Sequence, residues 1–202
     1  MSLRVAANKS EQTMIAYHII FSAYGFWLPN DPRGSWSTFV GSWELFRVGR
    51  ATKTTETRSV AHRPHDHRQR LAAKAALKRP AVQFTMPQIE AIAAGFAAYA
   101  ERSRLTIYAC AVLRDHVHLV TACHSLDPHQ LAIQLKGAAT TELSIRDIHP
   151  FAGEAKAFAR GEWVVFLDTP TDVHRAIRYV EQNPEKEGLP PQPWPFITAF
   201  QS

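Results

Sequence analysis

Two histidines two residues apart, His116 and His118, lie in the run Arg114-Asp115-His116-Val117-His118-Leu119. Successive strand side chains alternate faces, so both imidazoles point the same way and form half of a metal site. Tyr179 and Asn183, four apart near the end of a predicted helix, supply the other half, because residues at i and i+4 share a helical face. Two imidazoles and an amide oxygen suit Mn, Co, Ni or Zn as well as Mg, and leave positions for a phosphate oxygen and water. A phenol with a pKa of about 10 needs help in losing its proton, and attack on a phosphodiester also needs charge neutralised at the phosphate. A divalent cation meets the second need, so a tyrosine beside a metal points to phosphoryl transfer. The spacing also has bland readings: paired histidines occur in jelly-roll metal proteins and by chance on surfaces, and a helical tyrosine is commonly a core-edge ring.

The elements that must position these residues follow from periodicity and turn chemistry. Tyr17 to Ser22 reads as a strand, followed by a Trp/Pro/Gly loop from Tyr24 to Ser37. Thr85 with Pro87 and Gln88 starts a helix whose Ile89, Ile92, Ala93, Phe96 and Tyr99 share one buried face, ending near Arg104. Leu105 to Leu113 and His116 to Cys123 form an antiparallel hairpin turning at Arg114-Asp115, which puts the histidines on a central strand. Asp127-Pro128 with Gln130 opens a second helix carrying Lys136. Gly153 to Gly161 reads as a connector and Trp163 to Leu167 as a short strand. Thr169-Pro170 opens the last helix, with Val173, Ala176, Ile177 and Val180 inward, and Pro184 stops it just beyond Asn183. This order suits an antiparallel α+β sandwich.

At 202 residues and 46% hydrophobic, the chain predicts one domain, residues 1–202, with a basic insertion at about 47–80 and a Pro-rich tail at about 189–202. That tail, around Trp194, reads as an extended segment that docks on the domain or on DNA. The net charge of +5 favours an anionic partner. Cys110 and Cys123 have no Cys-x-x-Cys spacing and read as buried thiols. No apolar run is long enough to cross a membrane, and the leader through Gln12 lacks a signal-peptide pattern, so the expected location is cytoplasmic, with nucleoid association if DNA is the partner. His62, His65 and His67 lie in the basic insertion without other ligands nearby and read as part of a solvated arm. Trp27, Arg33 and Trp36 in the first loop can stack on unpaired bases or anchor the loop.

The chain resembles the single-tyrosine HUH transposases of the insertion-sequence-200-like type, and within them the REP-associated tyrosine transposases. The resemblance rests on Asp115-His116-Val117-His118-Leu119-Val120, on Leu135-Lys136-Gly137, and on Ala176-Ile177-Arg178-Tyr179-Val180-Glu181-Gln182-Asn183-Pro184 with Gly188-Leu189. It spans most of Tyr17 to Leu189 outside the insertion. It implies a ferredoxin-like antiparallel sheet with helices on one face, the HUH endonuclease core. It also implies a divalent ion, Mg or Mn, held by His116, His118 and Asn183. Tyr179 would attack single-stranded DNA near a hairpin, giving a 5′-phosphotyrosine and a free 3′-hydroxyl. The position four after the tyrosine is often glutamine in the broader family; asparagine, as here, resembles the REP-associated branch, and Gln182 is a fallback ligand. Lys136, Arg175 and Arg178, with Trp27 and Arg33, are expected to contact DNA. The assembly is expected to be a monomer or a homodimer. Two other readings stay open: a hairpin-DNA-binding protein without catalysis, and a small-molecule metal enzyme using His116 and His118 with a third ligand such as His124.

Overall fold

The computed structural model describes residues 14–35, 37–56, 60 and 62–201; the leader through Gln12, Trp36 and Arg58 lie outside them. Four strands, β1 (Ala16–Ala23), β2 (Ile107–Val112), β3 (His116–Ala122) and β4 (Phe158–Leu167), form one sheet in the order β2-β3-β1-β4 with every neighbouring pair antiparallel. The helices are α1 (Trp43–Val48), α2 (His67–Ala75), α3 (Met86–Ser103), α4 (Pro128–Ile145) and α5 (Pro170–Lys186). The core is thus a βαββαβ unit in which α3 joins β1 to β2 and α4 joins β3 to β4, the split connection of a ferredoxin-like fold. Because such crossovers share one hand, they bring their helices to the same face. There α3 and α4 pack closely: a Cβ on Gly95 would lie 2.7 Å from the Ala138 carbonyl oxygen. The Phe21 ring meets Phe96 of α3 edge-on at 5.6 to 6.1 Å together with Phe158, filling this layer.

The α+β class and the antiparallel sheet are as expected, and α3 and α4 occupy the one face anticipated. The last helix adds a second cover: α5 lies on the opposite face, where Tyr179 meets His18 and His118. Both chain-order connections are already used by α3 and α4, so the helix after the final strand is free to cover the side they leave open.

Helix starts are set by the caps read from the sequence. The Gln88 side chain accepts the Thr85 N–H at 2.9 Å, and Asp127 accepts the His129 and Gln130 N–H groups at 2.9 and 3.0 Å. In α5 the Thr169 hydroxyl accepts the Asp172 N–H at 3.1 Å. The end of α5 differs from expectation, since the helix runs through Pro184 to Lys186. Proline withholds one N–H and fixes a φ that is already helical, and near a C-terminus that loss does not stop the final turn.

Three other details depart from the sequence reading. The fourth strand begins at Phe158 rather than Trp163, converting part of the expected connector into strand, with a register shift opposite Phe21 and Ala23. Part of the basic insertion is packed rather than solvated: Ala73 of α2 buries with Leu28, Val40 and Leu45 in a small second core, against which Val48, Ala51, Ala76 and Leu77 also pack. Cys110 is buried as expected, but Cys123 is exposed, one residue past the end of β3. The tail docks on the domain along β2, where the Gln192 amide donates to Val112 O at 2.8 Å and accepts from Val112 N at 2.9 Å. No described helix is long and apolar enough to cross a membrane.

Candidate metal and nucleophile site

The β1/β3 register pairs Ile20 with His118 and Ser22 with His116, so both histidines leave the sheet on the α5 face. Their rings lie 4.9 Å apart, with His118 buried and His116 half-buried at the mouth. Phe26 stacks on His116 at 5.0 Å and 7°. The His116 Nδ1 lies 2.7 Å from Asp115 Oδ1, and a carboxylate accepts only, so Nδ1 carries a proton. Burial opposes ionisation of Asp115. The hydrogen bonds from His116 and Gln83, with the charges of His116 and Lys74, outweigh it and hold the carboxyl below its ordinary value.

Tyr179 approaches from α5, its ring 5.5 Å from His118 and its side chain 47% exposed. Helix α5 starts beside Leu167, which pairs with Ala16 at the far end of the sheet, and runs back toward the end where His116 begins β3. One turn beyond Tyr179, Asn183 is buried with its amide nitrogen unpaired. Amide oxygen and nitrogen are assigned by their partners, so an Asn with no partner for one end fits a group that takes its oxygen as a ligand. Among the described residues no three His, Cys, Asp or Glu side chains are grouped to hold an ion. Gln182, the fallback, is exposed and accepts from Lys186 Nζ at 3.2 Å. His124 is no third ligand: its Nδ1 accepts the Leu126 N–H and its Nε2 lies 3.1 Å from Ser103 O, beyond the opposite end of β3.

Two residues near the site carried no signal in the sequence. His18 places Nε2 3.0 Å from His118 Nδ1, within the same buried layer. Lys186 sits with its ammonium 5.3 Å from the Tyr179 ring centroid, two turns along the exposed side of α5. Burial pushes the His18 pKa down to about 4 and lowers His118 well below its ordinary value, and repulsion from His116 and His18 would disfavour a charge on His118 further. Both are therefore neutral in the folded chain at neutral pH. The unfolded chain takes up protons at these groups below about pH 6.5, whereas folded His18 resists until about pH 4. Stability of the metal-free protein is expected to be complete above pH 6.5 and to fall by about 3 kcal/mol through His18 alone as the pH drops to 4. Urea melts across that range check this, and an unchanged midpoint would contradict it.

Of the expected DNA contacts, three are committed elsewhere. Lys136 is buried, its ammonium 3.0 to 3.2 Å from the carbonyl oxygens of Ala159, Arg160 and Gly161 and 2.9 Å from Glu162 Oε2. It gathers the carbonyls where β4 loses register with β1, and burial lowers its pKa against the raising effect of Glu162. Arg33 is buried in a two-pronged pair with Asp31 at 2.8 Å and lies 4.0 Å over the Trp27 ring, whose Nε1–H donates to Gly34 O. Trp27 and Arg33 thus anchor the first loop. Arg175 is exposed in a surface pair with Asp172, and Arg178 is exposed beside Tyr179. Replacing Lys136 with Met is expected to destabilise the fold by about 2 kcal/mol, because the carbonyls of Ala159, Arg160 and Gly161 lose their donor and half-buried Glu162 keeps only His129. If the chain binds DNA, the salt dependence of that binding should stay unchanged in this variant; a shallower slope would restore Lys136 as a phosphate contact.

No family model matches the chain, and no curated protein matches it. Among solved structures it is similar to a REP-associated tyrosine transposase bound to a REP hairpin, at 14% identity and a TM-score of 0.47, covering 97% of this chain and 81% of the other. It is also similar to a Deinococcus radiodurans protein described as a transposase, at 14% identity and a TM-score of 0.37, covering 89% and 97%.

Proposed function

We propose that the protein is a metal-dependent single-stranded DNA nickase and strand transferase of the transposase type, acting near hairpins through Tyr179. The observation that carries this reading is the approach of an exposed tyrosine to the buried His118, with His116 beside it and the unpaired Asn183 amide one turn further along the same helix. His116, His118 and Asn183 would hold a divalent ion, Mg or Mn, which supplies charge neutralisation at a phosphate when bound.

In the first transfer the Tyr179 Oη, on losing its proton, attacks the phosphorus of a DNA diester. The bond to the 3′-oxygen breaks, that oxygen takes up a proton, and a 5′-phosphotyrosine forms. In the second, a 3′-hydroxyl attacks the same phosphorus and restores the phenol. Exposed Arg178, Lys186 and Arg175, once released from Asp172, line the outer side of α5 where a backbone phosphate would lie. Within one copy of the chain the Tyr179 ring lies 5.5 Å from that of His118.

Incubation with labelled single-stranded hairpin DNAs and Mg²⁺ or Mn²⁺ should give a covalent adduct on a denaturing gel that is lost on chelation. Tight binding with no adduct in either metal would indicate a hairpin-binding protein without catalysis. Absence of both would return the site to small-molecule chemistry, although His124 no longer offers it a ligand.

A further inference from the structure

The geometry points to His18 as a positioning residue for the metal site, accepting the Nδ1–H of His118 and so directing the His118 Nε2 lone pair toward the ion. This rests on the reading of His116, His118 and Asn183 as ligands. On β1, Ile20 stands opposite His118 and His18 opposite Val120, so alternation puts His18 on the same face as His118 and diagonal to it, within reach of a ring. The two nitrogens lie 3.0 Å apart with both side chains buried. Two neutral imidazoles share one hydrogen bond, in which one nitrogen brings the proton and the other the lone pair.

The direction of that bond decides whether His118 can ligate. If His18 donated, the proton of neutral His118 would sit on Nε2 and close that nitrogen to an ion. With His118 donating, Nε2 is open and the His18 proton moves to its own Nδ1. His116 has a carboxylate, Asp115, in the equivalent place. A ligating imidazole characteristically gives its other N–H to such an acceptor, which fixes the ring and its tautomer. A neutral ring does this for His118 without putting a second negative charge beneath the sheet. The His18 ring also meets Tyr179 edge-on at 6.1 Å, so one side chain sets the ligand and abuts the helix carrying the nucleophile.

Calorimetric titration of the metal-free protein with Mn²⁺ tests this without any reaction. His18→Leu is expected to weaken Mn²⁺ binding about ten- to hundredfold, and His18→Gln, whose amide oxygen can accept the same N–H, to restore it to within about threefold. Nitrogen-15 correlation spectra of the unaltered protein should show His118 protonated at Nδ1. Equal Mn²⁺ affinity in unaltered and His18→Leu protein, or a His118 protonated at Nε2, overturns the inference alone. Failure of the unaltered protein to bind Mn²⁺ overturns the metal reading and this inference with it. If His18→Leu does not fold, the His18→Gln titration and the tautomer decide the matter.

Discussion

Replacing Tyr179 with Phe is expected to abolish covalent attachment of DNA, by at least about 10³-fold, while hairpin affinity stays within about twofold. The substitution removes one oxygen from a ring that is 47% exposed, and it keeps the ring contacts with His18 and His118. Stability should change by less than about 0.5 kcal/mol, as for a surface position. Adduct formation and anisotropy with a labelled hairpin separate the two effects in one preparation. An undiminished adduct would remove Tyr179 as nucleophile, and a parallel loss of binding would make it a DNA contact instead.

His116→Ala is expected to lower metal affinity and adduct formation together, each by about 10²-fold, with partial recovery at high Mn²⁺. Of the three proposed ligands His116 is the most open to solvent, so its removal disturbs the core less than removal of buried His118. Some stability is lost as well: the stack on Phe26 goes, and Asp115 keeps only its bond from Gln83, for a cost of about 1 to 2 kcal/mol. His124→Ala serves as the control, since both its nitrogens are engaged at the other end of β3 and metal binding should not change. An unchanged metal titration for His116→Ala would refute its place in the site.

Features governed by short-range rules were legible from the chain. Strand alternation placed His116 and His118 on one face, helical spacing placed Tyr179 with Asn183, and cap residues located the starts of α3, α4 and α5. What escaped reading depends on contacts distant in sequence. His18 matters because of the register between β1 and β3, which a single sequence does not reveal. Lys136 and Arg33 looked available because such residues are rarely buried unpaired. Their burial depends on acceptors supplied by a strand irregularity near Ala159 to Glu162 and by a turn at Asp31. The first half of β4 was hidden because Arg160, Gly161 and Glu162 break the apolar alternation by which a strand is recognised. Helix α1 has six residues, too few to show a helical period.

The most direct measurement is the site of attachment. The adduct formed with hairpin DNA and Mn²⁺ is digested with nuclease and trypsin and sequenced by mass spectrometry. The expected result is the peptide Tyr179–Lys186 carrying a 5′-phosphonucleotide on Tyr179. A nucleotide on any other residue, or tight metal-dependent hairpin binding that never yields a linked peptide, would contradict a tyrosine-mediated strand transfer.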